Sequence, residues 1–134
     1  MMKKLLLSAI IVFSTMILVA RAQVKTDVPI QSSPSNENIT YRLFPTQNIW
    51  NFIKLDTRNG KMWQVQWSTE SDKRFTTDLS LIPLVAKDDE KNGRFTLQPT
   101  QNTYNFLLID QLDGRTWQVQ WSFDLDKRMV IPIN

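Results

Sequence analysis

The chain has 134 residues, with 16 Lys and Arg against 13 Asp and Glu, and neither His nor Cys. Without His and Cys there is no Ser-His or Cys-His nucleophile system, no usual zinc ligand set and no disulfide. Its three glycines form no phosphate-cradling loop of the Walker or G-x-G-x-x-G kind.

The chain opens with two lysines, Lys3 and Lys4, followed by an apolar run over residues 5–20 and the small-x-small triplet Ala20-Arg21-Ala22. That order predicts a signal peptide over residues 1–22, cleaved between Ala22 and Gln23. The apolar run is shorter than the roughly 20 residues a helix needs to span a bilayer core. The expected location is therefore the periplasm or the medium, with no stable membrane insertion after cleavage. Lys3, Lys4 and Arg21 leave with the leader, so 13 basic residues face 13 acidic ones. A formally neutral chain lacks the basic stripe that nucleic-acid binding requires, so no nucleic-acid partner is expected.

Residues 23–40 are polar, carry two prolines and read as a flexible lead-in. Val28 and Ile30 leave open an irregular strap along the domain. Residues 41–134 read as a single β domain made of repeat 1 (41–86) and repeat 2 (94–134), joined by a charged bridge over 87–93.

The duplication is direct. Shifted by 54 residues, 45–74 falls on 99–128 with 17 of 30 pairs identical. PTQN, Asn-Phe, WQVQWS and Asp-Lys-Arg all recur. A short strand before each PTQN is expected over 41–44 and 94–98. The next, over 49–55 and 103–109, is apolar on both faces, as a strand covered on both sides would be. Asn59-Gly60 and Asp113-Gly114 supply hairpin signals after it. In the third strand Trp63, Val65 and Trp67 alternate with Gln64 and Gln66, and Trp117, Val119 and Trp121 with Gln118 and Gln120. Period two predicts indoles inward and amides outward. A last strand is expected over 81–85 and 129–133, on the match of Leu81-Ile-Pro-Leu to Val130-Ile-Pro-Ile. That match places an extra loop near 76–80.

The fold class that follows is all-β: two tandem four-stranded antiparallel meanders packed with pseudo-twofold symmetry, as a sandwich or barrel-like domain. Two such units resemble two propeller blades, and a propeller needs four or more to close.

Residues 44–68 carry the pattern F-P-T-Q-N-x-W-x-F-x-x-L-D-T-R-x-G-x-x-W-Q-V-Q-W-S. It resembles repeats of small exported proteins of Gram-negative gut bacteria, a family without an assigned activity. The resemblance implies an envelope or periplasmic setting and a β fold, and it carries over no functional residue.

No catalytic or metal-binding residue and no cofactor is expected. Glu70 with Asp72, and Asp124 with Asp126, are the acid pairs a carboxylate glycosidase would use, set against the reading of solvated turns. Asp56 and Asp110 are expected to accept backbone N–H groups in their own turns. Binding is expected at the outward amides Gln64, Gln66, Gln118 and Gln120, which suit a neutral glycan or a peptide backbone. Trp50 and Tyr104, beside PTQN, are the expected stacking platform. The leading function is an exported, soluble, non-enzymatic binding or interaction module, its partner a neutral glycan or an envelope protein. The alternatives are a structural or assembly subunit of the envelope and, more weakly, a glycosidase. An extensive exposed apolar patch would favour assembly, and a cleft with two shielded carboxylates would favour the enzyme.

Overall fold

The structure, a computed structural model, describes residues 38–134. The expected signal peptide, its cleavage site and most of the lead-in lie outside the described residues. The first meander holds β1 (Tyr41–Pro45), β2 (Asn51–Asp56), β3 (Met62–Gln66) and β4 (Phe75–Ser80). The second holds β5 (Phe95–Pro99), β6 (Asn105–Asp110), β7 (Thr116–Gln120) and β8 (Met129–Ile133). Each is an antiparallel sheet in simple sequence order, and the two stack as a sandwich-like pair, not a closed barrel.

The repeated motifs build the turns. Thr46 Oγ1 donates to the Asn51 carbonyl at 2.9 Å and Thr100 Oγ1 to the Asn105 carbonyl at 2.7 Å. The Asn48 and Asn102 side chains accept from the Trp50 and Tyr104 amides, each at 2.9 Å. In the β3–β4 turn, at the same end of each sheet, Arg74 Nε donates to the Ser68 carbonyl and Arg128 Nε to that of Ser122. The β2–β3 hairpin closes where the Asp56 amide donates to Lys61 O at 2.9 Å. Within this loop only Gly60 takes a positive φ, of 82°, so the connection is a longer loop with glycine at its left-handed position and not a two-residue turn. The connection from β4 to β5 folds back over this loop, its Leu84 amide donating to Asn59 O at 2.8 Å.

Two expectations change. The fourth strand of repeat 1 is Phe75–Ser80, not residues 81–85. Its Phe75 pairs with Gln66 as Met129 pairs with Gln120. The 54-residue equivalence therefore runs through the strand, and the extra residues follow it. An edge strand that buries only Leu79 has little apolar pattern to reveal it, whereas Leu81-Ile-Pro-Leu imitates β8 in composition alone.

The symmetry between units also differs. Call the face carrying Ile53, Leu55 and Gln64 the front of the first sheet, and the face carrying Phe52, Trp63 and Val65 its back; cross-strand pairing places each set on one side. In the first sheet the front is buried: Ile53, Leu55 and Met62 are all at 0% exposure. In the second, the buried face holds Phe106, Trp117 and Val119, the repeat equivalents of the back. A twofold would bury the same face of both units. Instead the front of one sheet packs on the back of the next, with β2 against β5 and β4 against β8. Adjacent propeller blades stack in this head-to-tail manner.

Candidate functional site

The face reversal redistributes the glutamines. Gln64 is wholly buried, its Nε2 donating to Asn51 Oδ1 at 3.2 Å and its Oε1 without a partner among the described residues. It goes inward because it shares a face with Ile53, its cross-strand partner, and that face meets the second sheet. The expectation of an outward Gln64 is thus corrected. Gln118 does point outward, yet it makes the same bond, to Asn105 Oδ1 at 2.8 Å. Gln66 and Gln120 are half-buried, each donating to a carbonyl of its own turn, Lys73 O and Lys127 O, at 2.9 Å. The four amides therefore do not form one exposed ladder.

The two expected aromatics sit at equivalent turns of the two repeats. Trp50 and Tyr104 are exposed, and Trp50 stacks on Trp67 with ring centroids 4.7 Å apart. Trp67 Nε1 is fixed by the Ile49 carbonyl at 2.8 Å. Beside the two indoles runs a groove of about 270 Å³ edged by Gln66, Ser68, Thr69, Glu70 and Lys73. Phe123 stands where repeat 1 has Thr69 and packs edge-on against Trp121, which is buried. That difference between the copies, like Trp50 against Tyr104, is legible in the sequence.

The acids divide into two kinds. Glu70 and Asp124 lie on exposed turns and pair with Lys73 and Lys127 at 2.8 and 2.9 Å. Asp56 and Asp110 are buried, and each caps its own turn through the Arg58 and Leu112 amides at 3.0 Å. Burial pushes both carboxyls up, but hydrogen bonds from Arg58 and Arg94, together with the backbone amides, outweigh it. Both are held below the ordinary aspartate value, so neither carries the proton a general acid must deliver.

Among the described residues one face of each sheet carries exposed apolar side chains. On the back of the first sheet Tyr41 and Leu43 are 51% and 58% exposed. Trp63 joins them, edge-on to Tyr41 at 6.3 Å, with Lys54 Nζ 4.6 Å above its ring. Beside the β2–β3 loop this face opens into a groove of about 400 Å³ between Tyr41, Trp63 and, after β4, Pro83 and Val85. On the front of the second sheet Leu107, Ile131 and Ile133 are exposed, beside half-buried Ile109. β2 and β6 were read as apolar on both faces, and the described residues cover only one face of each.

No protein-family model, curated protein or solved structure matches the chain. The geometry alone carries the functional argument. Among the described residues no helix is long and apolar enough to cross a membrane.

Proposed function

We propose that the protein is an exported, non-enzymatic interaction module of the bacterial envelope whose working surfaces are the two open sheet faces. The observation that carries this reading is the apolar character of both faces, the back of the first sheet with Tyr41, Leu43 and Trp63 and the front of the second with Leu107, Ile131 and Ile133. Contiguous apolar surface rimmed by polar groups marks an association site in a soluble chain. The balance between the readings thereby moves from small-ligand binding towards assembly. A photo-crosslinking residue placed at Leu43 or at Leu107 in the exporting cell should yield discrete adducts. If both positions give only the uncrosslinked chain, the reading fails.

A second reading rests on the Trp50–Trp67 groove. Two tilted indoles beside uncharged Gln66, Ser68 and Thr69 suit stacking and hydrogen bonding of a neutral sugar. Titration with neutral oligosaccharides should quench tryptophan fluorescence, and Trp67→Ala should remove the saturable part. A linear, unsaturable response in the unaltered protein would end this reading.

A further inference from the structure

We infer that the partner of these faces is a second copy of the same chain, docked head to tail so that the front of its second sheet covers the back of the next copy's first sheet. The inference rests on the interaction reading above and names its partner. The interface inside the chain serves as the template for the one between chains. Within the chain, the front of the first sheet packs on the back of the second. The two open faces are the remaining front and the remaining back.

Position by position the open faces repeat the closed ones. On the front, Leu107, Ile109 and Ile133 stand where the buried interface has Ile53, Leu55 and Leu79. On the back, Tyr41, Leu43 and Phe52 stand for Phe95, Leu97 and Phe106, while Trp63 and Val65 recur unchanged as Trp117 and Val119. Five places turn polar. Gln98 replaces Phe44, Thr116 replaces Met62, Lys54 replaces Leu108, and Thr76 and Asp78 replace Val130 and Pro132. That is the direction expected when a surface must stay soluble before it docks, since interfaces between separately folded chains are less apolar than a domain core.

The polar bridges between the two sheets have counterparts as well. Gln47 reaches from repeat 1 to the Thr100 and Gln101 carbonyls and accepts from Thr103 Oγ1 at 3.1 Å. Its equivalent, Gln101, is exposed on repeat 2. Arg128 reaches back to Thr77 Oγ1 at 3.1 Å and to Asp78 O at 2.8 Å. Its equivalent, Arg74, is exposed on repeat 1. A front-to-back contact is heterologous, and repetition of it closes a ring when the rotation permits. With two blades per chain, about two to four copies give the roughly four to eight blades of a closed propeller.

Two exposed substitutions test the docking mode. Leu107→Asp spoils the front of the second sheet, and Leu43→Asp spoils the back of the first. Ile131→Asp stands in for Leu107→Asp if that variant loses its fold by near-UV circular dichroism. Light scattering of the purified protein over a dilution series should give a defined species of two, three or four chains. Each variant alone should run as a single chain. An equal mixture should form a pair and nothing larger, because one intact front and one intact back remain. A single-chain mass for the unaltered protein at every concentration overturns the inference, and so does a mixture that stays single while the unaltered protein associates. If the protein is single but crosslinks at Leu43 and Leu107 still trap discrete adducts, the docking of copies fails and the interaction reading stands. If neither is seen, both fail.

Discussion

Asp110 is enclosed by donors: the Arg94 guanidinium at 2.8–3.0 Å and the Leu112 amide at 3.0 Å. A carboxyl held low in the folded chain binds fewer protons there than when unfolded. It therefore contributes stability above its unfolded value, and the contribution is lost as pH falls through the folded value. Asp110→Asn keeps the size and an acceptor oxygen but gives up the charge. It should cost about 2 kcal/mol at neutral pH, the scale of hydrogen bonds to a charged group. The gap between variant and unaltered protein in denaturant melts should shrink towards zero as pH drops below the ordinary carboxylate range. A gap that stays constant with pH would show that the charge contributes nothing. Asp56 with Arg58 is the same device in repeat 1, except that its cation comes from within the turn, at 2.8 Å. In repeat 2 it comes from the start of the unit, Arg94. Leu112, which replaces Arg58, could not supply it.

At the scale of the elements, the residues that recur between copies are those that hold each unit's backbone. The Gln-Asn-Asn chain runs Gln64–Asn51–Asn48 in one copy and Gln118–Asn105–Asn102 in the other. The shared meander accounts for identity at these positions. This explains why WQVQWS looked like a binding motif and is mostly a turn-fastening one: an amide that suits a glycan also suits a carbonyl seven residues along its own chain. Six of the eight strands fall close to where periodicity and hairpin signals put them. β8 does too, while β4 was missed. Its sequence, Phe75-Thr-Thr-Asp-Leu-Ser, needs one inward residue and receives its other bonds from β3. A strand defined by its neighbour leaves no period in its own sequence.

At the scale of the whole molecule, stacking order decides which face of a sheet is interior. Gln64 and Gln118 are identical residues in identical strands with the same amide bond, yet one is at 0% exposure and the other is exposed. Their alanine variants should therefore part. Gln64→Ala leaves a buried gap and strips Asn51 of its donor, a loss of about 2 kcal/mol or more. Gln118→Ala should stay within about 0.5 kcal/mol, as surface changes do. Equal losses in parallel melts would contradict the front-to-back stacking.

The sequence by itself determined the duplication, the strand period, the hairpin glycines and the fold class, because each is written in local spacing: identity at a fixed offset, alternation at two, a residue that tolerates positive φ. The tertiary structure alone decided which face of each unit is inside. β2 and β6 are apolar on both sides, so their patterns permit either face to be buried, and a period of two is unchanged when the sheet is turned over. Only the order in which one sheet is laid on the next breaks that tie. Here it buries the front of the first and the back of the second, and leaves the other two faces open.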